Sequence, residues 1–217
     1  VYEDKITTFG HLLKAMKEDF RDDEILRQYL LHKVPKFCKD KDATEFGKKV
    51  MDDLAECLGG QANYRGGKFE PSLFAFYSYN WFKNVTIATA DGRKSESALS
   101  RGVNPSESTE NINIAALLDA IKTMDYTKYP GGAVIYMDIP LMYKTPQPSL
   151  FASVMRAFCE NGGSIMDFNV ISRNALLEAQ KNPETHKNIV VRVCGYSAYF
   201  HTLTAEMQNE VIQRTQR

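Results

Sequence analysis

Membrane-spanning runs, a signal peptide and an excess of charge of either sign are all missing from this 217-residue sequence. No apolar run approaches the roughly 20 residues that a helix needs to cross a bilayer, and residues 1–4 lack the layout of a signal peptide. The 27 Lys and Arg residues equal the 27 Asp and Glu residues in number. Basic residues of the segment 33–49 are interleaved with acidic ones, which indicates a solvated face rather than a nucleic-acid-binding one. We therefore expect a cytoplasmic protein that binds neither membranes nor nucleic acid.

The cysteine patterns of zinc sites and disulfide frameworks are missing as well. The four cysteines, Cys38, Cys57, Cys159 and Cys194, form no CxxC pair and have no histidine at metal-ligand spacing. We therefore expect no bound metal and no disulfide. Cys57 and Cys159 fall on the apolar sides of predicted helices, which predicts that both pack in the core. Cys38 lies in a polar link, where the sequence assigns it no role.

The first third of the chain has the spacing of helices. Apolar residues predict helices over 9–20, 25–33 and 46–58, and Gly59-Gly60 is a stop signal for the last of them. From residue 73 the residues become aromatic or β-branched, which suits strands or tightly packed extended chain at 73–79 and 85–88. The polar segment 91–111 predicts a long loop, and loops of that length are usually functional or packed on a partner surface.

Helices and strands alternate beyond this loop, which predicts an α/β fold. Strands are expected at 133–139, 164–170 and 189–193. Helices are expected at 112–124, at 150–160 with Ser149 as N-cap and 161–163 as C-cap, at 175–181 and at 205–214. Single helices between strands imply parallel βαβ units rather than a hairpin sheet.

The most informative window runs from Val190 to Phe200 and reads Val-Val-Arg-Val-Cys-Gly-Tyr-Ser-Ala-Tyr-Phe. It is followed by Gln208 and by Ile-x-Arg-Thr from Ile212. This resembles the glycyl radical signature, Arg-Val-small-Gly-Tyr with an aromatic residue a few positions later. Further blocks resemble those of the same family in family order, at 26–35, 64–69, 91–94, 102–106 and 168–170. The sequence thus resembles the C-terminal part of a glycyl radical enzyme of the pyruvate formate-lyase-like superfamily.

The resemblance implies that Gly195 stores the radical. Removing a hydrogen from its α-carbon leaves an electron that delocalises into the flanking amide groups if the centre becomes planar, which a side chain would resist. The other motif residues are expected to support this loop: Arg192, Val193, Cys194, Tyr196, Ser197 and Phe200. Cys194 is interpreted as the small, buried neighbour of the glycine. The family's thiyl cysteine lies on an earlier loop that this sequence lacks.

The resemblance also implies an architecture and partners. The chain is expected to be the C-terminal portion of a ten-stranded β/α barrel with flanking helices. Residues 1–60 would form a helical segment, 61–188 barrel strands and helices with the loop 91–111, and 189–217 a hinged glycyl radical domain. No cofactor is expected to be bound. An activating enzyme with an iron–sulfur cluster and S-adenosylmethionine would install the oxygen-sensitive radical under anaerobic conditions, and an N-terminal barrel half would supply the thiyl cysteine. The full enzyme is expected to be a homodimer.

The function implied is that of a radical lyase that cleaves a C–O, C–N or C–C bond of a small molecule, inactive without the missing half. The blocks at 65–69, 92–94 and 102–106 look more like the branch with glycerol, choline and hydroxyproline lyases or dehydratases. Residues 108–113 depart from that branch, so a decarboxylase or a C–C bond-forming member stays open. The alternative is a non-catalytic partner or repair module that supplies the glycine loop to another chain.

Overall fold

The computed structural model describes residues 5–106, 108–109, 114–138 and 148–215. In these ranges the helices are α1 Phe9–Lys17, α2 Glu24–His32, α3 Lys41–Leu58, α4 Ser78–Trp81, α5 Ile114–Lys122, α6 Pro148–Glu160, α7 Arg173–Lys181 and α8 Ala205–Arg214. The strands are β1 Val134–Asp138, β2 Ile165–Asn169, β3 Val190–Arg192 and β4 Ser197–Tyr199. The predicted α/β class is confirmed. Residues 110–113 and 139, which belonged to the predicted loop, helix and strand, lie outside the described residues.

The strands form two separate pairs in the described part of the chain. β1 and β2 are parallel, with Tyr136 opposite Asp167, and α6 connects them as predicted. β3 instead pairs with β4 in an antiparallel hairpin, with Val191 opposite Ala198. The expected parallel pairing of β3 with β2 was therefore wrong: the Arg192 backbone bonds to the Asn169 side chain of β2 rather than to a β2 backbone ladder.

Helix ends follow local chemistry. The hydroxyls of Ser172 and Thr204 cap α7 and α8 by accepting a hydrogen bond from the backbone three residues on. Gly162 ends α6 with a φ of +83°, which confirms the predicted C-cap. The prediction of Ser149 as N-cap was wrong, since α6 already begins at Pro148, a residue suited to the first turn.

β1 separates two hydrophobic cores, because successive side chains of a strand point to opposite faces. Ile135 and Met137 pack with α5 and α6 in one core. Val134 and Tyr136 pack with α7, α8 and the β3–β4 hairpin in the other. The hairpin therefore shares a core with the strand that carries Tyr136.

The predicted strand or extended chain at 73–79 and 85–88 was wrong in most of its length. Leu73 makes a single parallel bridge to Ala133, residues 78–81 form α4, and 85–88 carry no strand. The buried guanidinium of Arg93 donates a hydrogen bond to the Ile87 carbonyl at 2.7 Å. It also donates to the carbonyls of residues 94 and 97. Those backbone groups therefore pair with a side chain rather than with a strand.

Asp91 organises the long loop. It accepts hydrogen bonds from the hydroxyls of Thr89, Ser106 and Ser108, the last at 2.5 Å. Burial would raise the pKa of Asp91, but these bonds and the Arg93 N–H outweigh burial and lower its pKa from 3.8 to about 2. A carboxylate at the start of the loop thus holds residues 106 and 108 near its other end.

Stability should depend on this carboxylate in a pH-dependent way. The folded pKa of Asp91 lies below its unfolded value, so its contribution is present above about pH 4 and is lost as the pH falls through 2. We expect Asp91→Asn to lower the free energy of unfolding by about 2 kcal/mol at neutral pH. The difference from wild type should shrink between pH 4 and pH 2 in urea titrations. Asp53→Asn, an exposed carboxylate on α3, is the control, and a difference independent of pH would contradict the assignment.

Two cysteine predictions need correction. Cys57 and Cys159 are both exposed, whereas Cys38 is buried and burial raises its pKa to about 12. The apolar side of α3, which carries Cys57, is not covered by the described residues: Phe46 is 68% exposed. On α6 the core side is formed by Val154 and Phe158, and Cys159 lies beside it. None of the described helices is both long and apolar enough to span a bilayer.

Candidate functional site

Gly195 lies in the two-residue turn of the β3–β4 hairpin. The Val193 N–H donates to the Tyr196 carbonyl at 2.9 Å and continues the ladder up to the turn. Gly195 has a φ of +74°, and Cys194 before it is not among the positive-φ residues. A positive φ at the second turn position is the conformation for which glycine is preferred. The prediction that Gly195 follows directly after a strand is confirmed.

Two polar side chains of β2 hold this hairpin. The Asn169 amide accepts from the Arg192 N–H at 2.7 Å and donates to the Arg192 carbonyl at 3.0 Å. It therefore makes the two backbone hydrogen bonds that a neighbouring strand would otherwise make. The Asp167 carboxylate accepts from the Arg192 Nε–H at 2.9 Å and from the Gly195 N–H at 3.1 Å. Because residues two apart on a strand share a face, Asp167 and Asn169 reach the hairpin together.

Tyr136 holds the residue before the glycine. Its hydroxyl lies 3.1 Å from the Cys194 Sγ, and both side chains are buried. Burial and the Cys194 contact raise the pKa of Tyr136. The guanidinium of Arg101 lies over the Tyr136 ring, 5.2 Å from its centroid. Cys194 is thus the buried neighbour that the sequence predicted, in contact with a phenol.

The outer edge of β1 is closed by the block 102–106. The Asn104 amide accepts from the Tyr136 N–H at 2.9 Å and donates to the Tyr136 carbonyl at 2.7 Å, as Asn169 does for Arg192. The Val103 N–H donates to the Val134 carbonyl at 2.9 Å. Gly102 has a φ of +52°, and a Cβ there would lie 2.2 Å from the Val134 oxygen. Only glycine permits this approach.

The chain after the hairpin is anchored in the same core. Phe200 is fully buried, and its carbonyl accepts a hydrogen bond from the Gln208 amide at 3.0 Å. Two contacts join α8 to α4 and the residues after it. The Tyr79 hydroxyl donates to Glu210 at 2.7 Å, and Lys83 forms an ion pair with Glu206. The Gln208 side chain thus joins α8 to the end of the hairpin.

The described residues leave open space where a side chain of residue 195 would lie. A Cβ built on Gly195 would meet one neighbouring atom within 4 Å, Cζ of Phe74 at 4.0 Å. Gly195, Tyr196 and Ser197 are exposed in this chain. The described residues therefore do not shield this glycine from water.

The structure brings most of the predicted motif residues together. Val193, Cys194 and Phe200 are buried around the turn, and Arg192 is bonded to Asp167. Asp167, Tyr136 and the two asparagines were missed as site residues. A signal for Asp167 and Asn169 was present, since polar residues two apart on a predicted buried strand must face a polar partner.

Comparison with known proteins gives the same assignment along the chain. Residues 1–83 match the family model described as pyruvate formate lyase-like, and residues 99–201 match the one described as glycine radical. A trans-4-hydroxy-L-proline dehydratase from Clostridioides difficile is 28% identical, over 100% of this chain and 28% of that protein. An isethionate sulfite-lyase from Nitratidesulfovibrio vulgaris is 31% identical, over 99% of this chain and 26% of that protein.

A solved structure also matches nearly the whole of this chain. The crystal structure of a glycyl radical enzyme from Archaeoglobus fulgidus has a TM-score of 0.85 at 27% identity, over 98% of this chain and 28% of that chain. The chain therefore spans between 26% and 28% of the length of these three proteins. This chain belongs to the glycyl radical enzymes of the pyruvate formate-lyase-like family, as the two family models, the related dehydratase and lyase, and the shared fold together show.

Proposed function

We propose that this chain is the radical-storing part of a lyase that cleaves a C–O, C–N or C–C bond of a small molecule, with the radical on the α-carbon of Gly195. The observation that carries this proposal is the turn itself. Gly195 has a positive φ, one face open to approach, and an amide fixed by a buried carboxylate.

The geometry suits a carbon-centred radical. Loss of a hydrogen atom makes the α-carbon planar, and the electron then spreads over the amide on either side. With no side chain, Gly195 can flatten without a clash, since its nearest contact in the direction of a Cβ is 4.0 Å away. The buried partners of residues 194 and 192 hold the turn during this change.

The rest of the site would come from residues outside this sequence. We propose that residues 1–60 and 61–188 complete a ten-stranded β/α barrel with another part of the protein, which supplies the thiyl cysteine and covers Gly195. Uncovered apolar side chains support this, with Phe46 at 68% and Trp81 at 70% exposed. Burial of such surface stabilises an assembly by about 25 cal/mol per Å². The complete enzyme would be a homodimer.

The radical would travel in two steps. A hydrogen atom leaves the Gly195 α-carbon for the S-adenosylmethionine-dependent activating enzyme, and Gly195 later recovers a hydrogen atom from the cysteine thiol. The first step requires an accessible glycine and the second a shielded one. We therefore propose that residues 189–217 move as a hinged unit, which must break the ion pair of Lys83 with Glu206 and the Asp167 contacts.

The lyase is favoured over a repair module that lends its glycine loop to another chain. Residues 1–83 match the pyruvate formate lyase-like model in addition to the glycine radical match at 99–201. A module that supplies only the glycine end does not require that first segment. The related proteins act on different molecules by name, a hydroxyproline and isethionate, so the substrate stays open within the lyase class.

Electron paramagnetic resonance tests the proposal. The complete gene product, activated anaerobically by its activating enzyme, should give a doublet from coupling to the one remaining α-hydrogen. Protein made with glycine deuterated at the α-carbon should give a singlet instead. A signal that deuteration leaves unchanged, or no signal after activation, would count against a glycyl radical.

A further inference from the structure

We infer that Asp167 is the positioning residue of the radical glycine, and that its carboxylate both orients the Gly195 amide and stabilises the radical. This inference rests on the proposed function. Asp167 is 5% exposed and uses both oxygens on the hairpin. Oδ2 accepts from the Gly195 N–H at 3.1 Å, and Oδ1 accepts from the Arg192 Nε–H at 2.9 Å.

Orientation follows from the direction of the bond. An amide N–H lies in the plane of its peptide group, so an acceptor fixed in space fixes that plane. Asp167 is itself fixed, since it sits in β2 opposite Tyr136, whose hydroxyl contacts Cys194. Two paired strand residues therefore hold the two residues of the turn. The Gly195 α-carbon adjoins this fixed plane, into which its unpaired electron would spread.

Stabilisation follows from charge. In a glycyl radical the amide nitrogen donates electron density towards the α-carbon while the carbonyl withdraws it. A carboxylate that accepts the N–H increases the donating power of that nitrogen, and a charged acceptor makes a stronger bond than a neutral one. Arg192, bound to the other oxygen at 2.9 Å, pairs the buried carboxylate with a cationic side chain.

Asn169 provides the contrast that separates this role from simple attachment of the hairpin. It lies on the same face of β2, bonds to the same strand β3, and touches the backbone of Arg192 rather than that of Gly195. If Asp167 only docked the hairpin, loss of Asn169 would have the same consequences. If Asp167 positions the glycine, only its own loss would change the radical.

Hydrogen exchange in the unactivated, complete protein tests the orientation. We expect the Gly195 amide to exchange about tenfold faster in Asp167→Ala, as for the loss of one charge-assisted hydrogen bond. Asp167→Asn keeps an acceptor oxygen and should change exchange less. Asn169→Ala should accelerate the Arg192 amide and leave that of Gly195 close to wild type. An unchanged Gly195 amide in Asp167→Ala would overturn the inference, whether or not a radical can be formed.

Electron paramagnetic resonance of the activated protein tests the stabilisation. Under identical activation conditions, both Asp167 variants should give a doublet about tenfold weaker than wild type, and its splitting should change in Asp167→Ala. Asp167→Asn retains the shape of the side chain and guards against misfolding of the alanine variant. Wild-type yield and splitting in both variants, or an equal loss in Asn169→Ala, would overturn the inference. Absence of any doublet in wild type would instead refute the proposed function, while exchange still decides the orientation.

Discussion

Alanine in place of Gly195 is expected to abolish the doublet and, with it, all turnover of the complete enzyme. Among the described residues outside the turn, the added methyl group meets Phe74 alone, at 4.0 Å, so the fold should survive. The positive φ costs an alanine about 1–2 kcal/mol. A radical on alanine would couple to three methyl hydrogens and could not give the two-line signal. The measurement is electron paramagnetic resonance after anaerobic activation, with turnover assayed on the same samples.

Gly60→Ala is the matched control. Gly60 has the same φ of +74°, and no atom of the described residues beyond its chain neighbours lies within 4 Å of a Cβ at this position, so it carries the same backbone cost without a place in the hairpin. It should keep the doublet and the activity. A Gly195→Ala protein that still gave the wild-type doublet would end the assignment of the radical to this residue. Equal loss of signal in both variants would trace the effect to stability.

Alanine at Gly102 is expected to cause the largest loss of stability among these changes. Its methyl group would lie 2.2 Å from the Val134 carbonyl oxygen and 2.7 Å from that side chain. Relief of this clash must separate Val103 and Asn104 from the edge of β1, which breaks the hydrogen bonds to Val134 and Tyr136. Overpacking, together with the cost of a positive φ for alanine, should lower the free energy of unfolding by about 3 kcal/mol.

Thermal unfolding of the complete protein, together with amide exchange across 134–138, measures this loss. Gly66→Ala is the control, because Gly66 also has a positive φ, of +81°, but a Cβ there would meet none of the described residues within 4 Å apart from its chain neighbours. A similar small effect in both variants would mean that the loop at 102–104 adapts to the methyl group. The doublet of Gly102→Ala should also weaken, since Tyr136 carries the contact to Cys194.

The β3–β4 hairpin shows that residue pattern predicted one of its strands and missed the other. The strand predicted at 189–193, which forms at 190–192, was indicated by consecutive β-branched residues. β4 was missed because Tyr199 is the one strand-favouring residue among its three. β4 forms because the turn at Gly195 places it beside β3. A short strand thus owes its existence to its partner rather than to its own residues.

Burial was harder to predict than secondary structure. Phe46, Val50, Leu54 and Leu58 have the spacing of a buried helix face, and α3 does form, but these side chains are exposed in this chain. Cys57, on the same helix, was also predicted to be buried and is also exposed. Periodicity reports which face of a helix is apolar, and only the neighbouring elements decide whether anything covers that face.

The sequence by itself determined seven of the eight α-helices and three of the four strands in the described ranges, together with the glycine of the signature, since these depend on neighbours along the chain. Tertiary structure alone decided that Asp167 and Tyr136 meet the turn at Gly195 and that Asn169 and Asn104 close the strand edges. These partners lie 23 to 58 positions apart. No local spacing encodes such contacts, because they exist only once β1 and β2 pair in a single register.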